Sequence, residues 1–184
     1  MQKEPKCIKD DLKTFHAPRW NELPQLPLYM DQVVYYLNQA LDPIHFEDNK
    51  QILTSSMVNN YVKNSIVKAP VKKQYQPYHL AYLLVVCALK RCYSLSEIGT
   101  LIQIYSNISD QDRLAADYNK FVSVFEDCLS DVFSSGTCRK EYFENPSMQQ
   151  QLMVNVIRTV CYKIFAEFEL LDYRKRNSDQ LQQS

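Results

Sequence analysis

The chain of 184 residues is long enough for one ordinary domain or two small ones, and its hydrophobic fraction of 46% is sufficient for a buried core. It contains two glycines, Gly99 and Gly136, which argues against Gly-rich phosphate loops and against sheets with many tight turns. The formal net charge is zero, yet residues 49–96 contain seven Lys or Arg and no Asp or Glu. A basic segment of this kind suits a polyanion such as nucleic acid.

The N-terminal residues 1–19 are charged and aperiodic, which predicts a frayed arm without the apolar run of a signal peptide. Residues 20–30 predict an irregular strap whose apolar side chains dock on the core. The most apolar window, residues 80–89, is too short to span a bilayer. We therefore expect a cytoplasmic protein with no membrane contact.

A helix is predicted over residues 29–41 from apolar residues at helical spacing, and Asp42-Pro43 is expected to end it. A polar loop over residues 42–51 follows. Thr54 or Ser55 is then expected to cap a second helix that ends near Asn64.

This second helix has two contrasting faces. The apolar face consists of Met57, Val58, Tyr61 and Val62. The opposite face consists of Ser56, Asn59, Asn60 and Lys63. Because the second set is spaced i, i+3, i+4 and i+7, its small amide and hydroxyl groups are aligned and can enter one groove together.

Residues 67–75 are extended between prolines and have two lysines at their centre, which predicts a short turn or a two-stranded wing. Pro77 is expected near the first position of a buried helix over residues 78–92. The residues "SLSE" at 94–97 form a capping box that opens a further helix to about Tyr105.

Two longer helices complete the chain. The first is predicted over residues 110–133, capped by Ser109 or Asp110, and the second over residues 147–173. The apolar stripe of the last helix is wider than one face, so the helix needs covering on two sides, which a partner subunit could provide. The tail over residues 174–184 is expected to be mobile.

The order of parts over residues 54–105 resembles the winged helix-turn-helix of MerR-type transcription regulators, in which a capped recognition helix precedes a basic wing, an apolar helix and an "xSLxEI" turn. Ser65-Ile66-Val67 stands at the end of the recognition helix, and residues 94–98 stand at the later turn. The wing positions are Lys72, Lys73 and Tyr75. Asn59-Asn60-Tyr61 replaces the familiar Arg-Tyr-Tyr, so the base-reading code of the superfamily is not carried over.

Over residues 20–175, the chain looks like a bacterial family that is catalogued as a domain of unknown function and is thought to carry a MerR-like DNA-binding half. The resemblance implies a mainly α-helical fold with three parts. These are an N-terminal arm (1–27), a winged helix-turn-helix domain (28–106) and a helical dimerisation region with a C-terminal tail (107–184). The expected partners are double-stranded DNA, a second copy bound through the C-terminal helices, and an unknown small-molecule effector.

The residues expected to bind DNA are Thr54, Ser55, Ser56, Asn59, Asn60, Lys63, Lys68, Lys72, Lys73 and Tyr75. Asn side chains can bond adenine in the major groove, whereas lysines on a wing would contact phosphates and set orientation. The free N–H groups at the helix start add an anion site. Tyr61 and Tyr75 are expected to pack the helix and the wing more than to touch DNA.

Other classes of function have weaker support. His16, His45 and His79 lie on separate elements without metal-binding spacing, and the cysteines show no CxxC spacing, so we expect no enzyme activity, metal or cofactor. Asp127 and Asp131 fit a solvated helix face.

Two alternatives stay open beside the hypothesis of a homodimeric, sequence-specific transcription regulator that represses by blocking a promoter. The first is a helical protein–protein interaction module that uses the basic face without binding DNA. The second makes the C-terminal half a small-ligand sensor. The aromatic residues that would line its pocket are Tyr118, Phe121, Phe125, Phe165 and Phe168.

Overall fold

The computed structural model describes residues 5–46, 51–105 and 111–182. Within these ranges the chain is mainly α-helical, which confirms the predicted class. The helices are α1 (Pro5–Lys13), α2 (Met30–Leu41), α3 (Ser55–Lys63), α4 (Pro77–Leu89), α5 (Leu95–Tyr105), α6 (Gln111–Ser135) and α7 (Met148–Gln182). Single 3-10 turns occupy Trp20–Glu22 and Asp42–Ile44. No helix in the described part of the chain combines the length and apolar character needed to cross a membrane.

The helices α2 to α6 begin and end close to their predicted positions because their apolar spacing and caps are local. At the start of α5, the backbone N–H of Ser94 donates to Glu97 Oε2 over 2.7 Å, and the N–H of Glu97 donates to Ser94 Oγ over 3.3 Å. This is the predicted capping box, and its hydrogen bonds lower the pKa of Glu97. The predicted cap of α6 at Ser109 or Asp110 lies outside the described residues.

The predicted frayed arm is wrong, because residues 5–13 form α1 and dock on α6 and α7. The buried side chains Ile8, Leu12 and Phe15 recur at i, i+4 and i+7, a helical period that is easily overlooked among the charges. The ring of Phe15 meets the edge of Phe125 at 5.9 Å.

The segment after α1 is held by polar contacts to α6. The guanidinium of Arg19 binds the carboxylate of Glu126 through two hydrogen bonds of 2.7 and 2.5 Å, which raise the pKa of Arg19. In the predicted strap, Leu23 is buried as expected. Leu26 is 77% exposed, so its expected docking on the core is wrong.

The helices α6 and α7 lie side by side and run in the same direction. Cys161 Sγ lies 3.7 Å from the carbonyl oxygen of Phe125, and further along both helices Phe133 packs edge-on against Phe165 at 5.1 Å. Gly136, at φ +78°, stops α6 in the left-handed conformation that glycine adopts without strain. Residues 136–147 then return to the start of α6, where the carbonyl oxygen of Tyr142 accepts from Lys120 over 3.3 Å.

The last helix extends beyond its predicted end. It was predicted to end at residue 173, but α7 continues as a helix to Gln182. Within the chain, α1, α4 and α6 pack against its wide apolar stripe and bury Ile157, Cys161 and Ile164. The width of the stripe follows from its position among several helices.

Replacement of Leu12 by alanine tests the docking of α1. Leu12 is fully buried, so Leu12→Ala is expected to lower the free energy of unfolding in urea by about 2–5 kcal/mol. The exposed Cys7 of the same helix provides the control, and Cys7→Ala is expected to change it by less than about 0.5 kcal/mol. Equal, small effects of both substitutions would show that α1 does not stabilise the fold.

Candidate nucleic-acid interface

The helix α3 has well-defined caps at both ends. Of the two predicted caps, Thr54 is the one used, because its Oγ1 accepts from the N–H of Met57 over 3.3 Å. At the other end, Ser65 has a φ of +57°, and the N–H of Ile66 donates to the carbonyl oxygen of Tyr61 over 2.9 Å. With the 3.0 Å bond from Ser65 N to Val62 O, this is a Schellman motif, so α3 ends as predicted.

The two faces of α3 separate largely as predicted. Val58 and Tyr61 are buried, and burial raises the pKa of Tyr61 to about 12. The opposite face is exposed and is called the polar stripe, which consists of Ser56, Asn59, Asn60 and Lys63. Met57 was assigned to the apolar face, but it is 37% exposed, and its sulfur lies 3.8 Å from Lys90 Nζ.

The amides of the polar stripe differ in their surroundings. Asn64 Nδ2 donates to Asn60 Oδ1 over 3.0 Å and to the Asn60 carbonyl oxygen over 2.8 Å, which orders the Asn60 side chain. The side chain of Asn59 forms no hydrogen bond with any described residue, so its donor and its acceptor both face water. Asn59 is therefore the amide best placed to bond the edge of a base.

A residue that the sequence did not single out sets the position of α3. Asn38 of α2 accepts from the N–H of Leu53 over 3.1 Å and donates to the carbonyl oxygens of Leu53 and Val34 over 2.8 and 2.7 Å. These bonds tie the residue before the Thr54 cap to α2. An Asn in the middle of a helix is unfavourable unless its side chain has such partners. The position of Asn38 within the predicted helix is therefore the feature of the sequence that indicates this role.

Of the predicted short turn or two-stranded wing, the described residues show a tight hairpin turn with isolated antiparallel pairs and no longer strand. This turn, residues 71–74, is called the wing. Val71 pairs with Gln74, whose N–H donates to the Val71 carbonyl oxygen over 2.9 Å. The two residues between them, Lys72 and Lys73, have φ of +50° and +63° and are exposed. Positive φ at both central positions is the type I′ geometry, for which Asn-Gly is the favoured sequence.

The base of the wing is joined to the entry of α2. The N–H of Leu28 donates to the carbonyl oxygen of Tyr75 over 2.9 Å, and the N–H of Tyr75 donates to that of Leu28 over 2.8 Å. Tyr75 is 3% exposed, so its side chain supports the wing and is not offered to a ligand. Among the residues predicted to bind DNA, Tyr75 therefore has a packing role only.

Beneath the wing lies the buried His79. Its Nδ1 accepts from the N–H of Gln76 over 2.8 Å, its ring stacks on Tyr78 at 4.0 Å, and it meets the edge of Tyr75 at 5.4 Å. Burial lowers the pKa of His79, and the charge of Lys68 acts in the same direction. The neutral imidazole of His79 thus packs between the wing and α4.

The seven basic residues of the acid-free segment have different roles. Lys63, Lys68, Lys72 and Lys73 are exposed and form no ion pair with the described residues. Two others are structural: Lys90 donates to the carbonyl oxygen of Ile52, and Arg91 forms an ion pair with Glu167 of α7. The seventh, Lys50, lies outside the described residues.

The surface beside the start of α3 is less basic. A groove of about 740 Å³ between α2 and α3 is lined by Ser55 and Ser56 but also by the carboxylates Asp31 and Asp42. These acids oppose phosphate binding at the start of α3, which weakens the expected anion site at Thr54. Phosphate contacts are therefore disfavoured in this groove.

A separate cavity of about 380 Å³ lies where α4 and α5 meet α6 and α7. Ala81, Val85, Ile102 and Met153 are among its apolar lining residues. Of the five aromatics predicted to line a sensor pocket, Tyr118 and Phe121 do so.

The other three predicted aromatics pack elsewhere in the core. Phe125 stacks on Phe121 at 6.2 Å, and Phe165 and Phe168 pack on Phe133. The cavity therefore lies between the two predicted domains and not within the C-terminal half alone.

The family model described as a domain of unknown function, DUF1836, matches residues 18–124. The chain belongs to this family. The DUF1836 match includes α2 to α5, the polar stripe, the wing and more than half of α6. The predicted membership of a family of unknown function is confirmed. No curated protein and no solved structure matches the chain.

The buried His79 predicts a pH dependence of stability for this DUF1836 protein. Because the folded pKa is lowered, the unfolded chain takes up a proton near pH 6.5 that the folded chain resists. The free energy of unfolding should therefore be highest above about pH 6.5 and fall as the pH is lowered towards about 5.5. Urea unfolding across this range measures it.

The variant His79→Gln removes the titrating ring. It is expected to reduce the fall in stability between the two pH values. An identical pH profile for wild type and His79→Gln would contradict the assignment.

Proposed function

We propose that this DUF1836 protein is a homodimeric, sequence-specific DNA-binding transcription regulator of the cytoplasm that represses by occupying a promoter. One observation carries the proposal. Lys72 and Lys73 occupy the two left-handed positions of the wing turn, and the helix that precedes this turn in the chain, α3, has an exposed face of amides, hydroxyls and a lysine.

The turn geometry supports a role for these lysines beyond folding. A left-handed conformation costs a residue with a Cβ roughly 1–2 kcal/mol, and Asn-Gly would remove most of that cost. The chain instead places two flexible cations at the most exposed point of the wing. Strained residues of this kind often lie at functional sites, and two adjacent lysines suit phosphate oxygens.

The polar stripe supports a complementary role in reading sequence. A B-DNA major groove is about 12 Å wide and admits an α-helix, and an Asn side chain can bond adenine N6 and N7 together. Asn59 presents its unengaged amide at the middle of α3, and Lys63 is exposed in the last turn of that helix. In this arrangement α3 reads bases, and the wing lysines position the protein on the phosphates.

Substitution of the wing turn separates charge from backbone shape. A dimer with Lys63, Lys68, Lys72 and Lys73 in each subunit makes up to eight phosphate contacts, which predicts a slope of log K against log salt on the order of −7. The variant Lys72→Asn/Lys73→Gly retains the turn and removes four contacts from the dimer. Its slope should be on the order of −4, with an unchanged or higher melting temperature.

Fluorescence anisotropy with a duplex selected from a random pool measures this slope. Lys72→Arg/Lys73→Arg should bind as wild type does, because it keeps the charge. Lys9→Asn/Lys13→Asn removes the same charge from α1 and should keep the wild-type slope. Equal slopes for the Asn-Gly variant and wild type would overturn the wing assignment, and a lack of DNA retention at low salt would favour an acidic protein partner.

A second role, the sensing of an apolar small molecule, is favoured by the cavity. Helix α4 connects the two regions, because Ala81 and Val85 line the cavity and His79, less than two turns earlier, lies beneath the wing. A ligand that moved α4 would therefore also move the base of the wing. Asp117 also lies at the cavity, and its carboxylate could accept a hydrogen bond from a ligand there.

Filling the cavity tests the sensing role. The probe is anilinonaphthalene sulfonate, whose fluorescence rises in apolar sites. Val85→Phe should reduce its binding by about tenfold or more, because the added ring occupies the space the dye would enter. Thr100→Phe adds the same ring to the exposed side of α5 and should not reduce it. Equal binding by wild type and Val85→Phe would show that the cavity does not accept the probe.

A further inference from the structure

The C-terminal half of α7 exposes a second face that the fold does not use. Leu170 and Tyr173 are 56% and 66% exposed, and Ala166 and Asn177 lie on the same side of the helix. The spacing of these four residues is 4, 3 and 4, which is the spacing of the a and d positions of a coiled coil. The name outer seam is used for these four residues, Ala166, Leu170, Tyr173 and Asn177.

Charged residues flank the outer seam in a self-complementary order. Glu169 and Arg174 are exposed and form no ion pair with the described residues. Further out, Glu167 precedes the centre of the seam and Arg176 follows it. Of these four flanking residues, the two acids lie before Tyr173 and the two arginines lie after it.

We propose that two copies of the chain pair through the outer seam of α7 in antiparallel orientation, about a two-fold axis between Leu171 and Asp172. In this register Leu170 packs against the partner subunit's Tyr173, and Ala166 faces the partner subunit's Asn177. This pairing is the dimer that the proposed function assumes. The pairing itself depends on contacts of α7 alone and not on DNA binding.

The charges favour this orientation. In an antiparallel coiled coil, Glu169 faces the partner subunit's Arg176, and Glu167 faces the partner subunit's Arg174. The two-fold axis repeats both pairs, so four Glu–Arg pairs surround the contact. A parallel pairing would instead place Lys163, which lies in line with the seam, against its own copy.

Glu167 and Arg176 also have partners on their own chain. Glu167 pairs with Arg91 through Oε2 and with the exposed Lys163 through Oε1, and Arg176 pairs with Asp172. The pairs to Lys163 and Asp172 are surface pairs, which are exchanged at a cost of less than about 1 kcal/mol each. The largely buried pair to Arg91 stays in place, and Glu167 Oε1 is the atom left for the partner subunit's Arg174.

Sedimentation equilibrium over roughly a hundred-fold range of protein concentration tests the pairing. Wild type should show a monomer–dimer equilibrium. Glu169→Arg or Arg176→Glu alone should weaken dimerisation by about tenfold, because each turns two attractive pairs into repulsive ones. The double variant Glu169→Arg/Arg176→Glu should restore it to within about threefold of wild type.

Controls separate folding and orientation from pairing. Glu144→Arg reverses an exposed charge on the segment before α7 and should leave dimerisation unchanged. Leu170→Ser should weaken it while circular dichroism stays as in wild type, because Leu170 lies outside the core. Rescue of Glu169→Arg by Arg174→Glu in place of Arg176→Glu would overturn the antiparallel register.

A wild type that stays monomeric at every concentration would overturn the pairing itself. The test of DNA binding is independent of the test of pairing. The variant Lys72→Asn/Lys73→Gly should dimerise as wild type does, because its substitutions lie on the wing and not on α7. If it dimerises normally and also retains the full salt slope, the DNA proposal fails while the pairing stands.

Discussion

The side-chain amide of Asn38 is the interaction on which the candidate interface depends. It satisfies both backbone groups of Leu53 and thereby fixes where α3 begins relative to α2. The Thr54 cap follows at once, and the Schellman turn at Ser65 then leads the chain into the wing. Without that amide, two buried backbone groups would lose their partners, and the polar stripe would have no fixed direction.

The basic residues of the middle segment serve two different purposes. Lys90 and Arg91 are used within the fold, where one binds a carbonyl oxygen before α3 and the other joins the end of α4 to α7. The remaining described lysines point outwards on α3 and the wing, while the groove on the α2 side carries Asp31 and Asp42. These carboxylates would repel a polyanion from the groove between α2 and α3.

Much of the helical content could be predicted from the sequence, because caps and apolar spacing act over a few residues. The box at Ser94 and Glu97 and the cap at Thr54 are examples. The docking of α1 was not predicted, because its three buried apolar residues are interspersed with charged residues in the sequence. The cavity and the role of Asn38 could not be predicted, since both arise from residues brought together by long-range packing.

The parallel course of α6 and α7 has a consequence for how the molecule is made. Two antiparallel helices can be joined by a short hairpin loop. The parallel helices α6 and α7 instead need residues 136–147 to run back along α6, whose 25 residues are about 37 Å long. Contacts such as that between Phe125 and Cys161 therefore close a loop of 36 residues. During synthesis, α1 can cover only part of the apolar surface of α6, and the part that α7 buries is covered last, so the core is completed late.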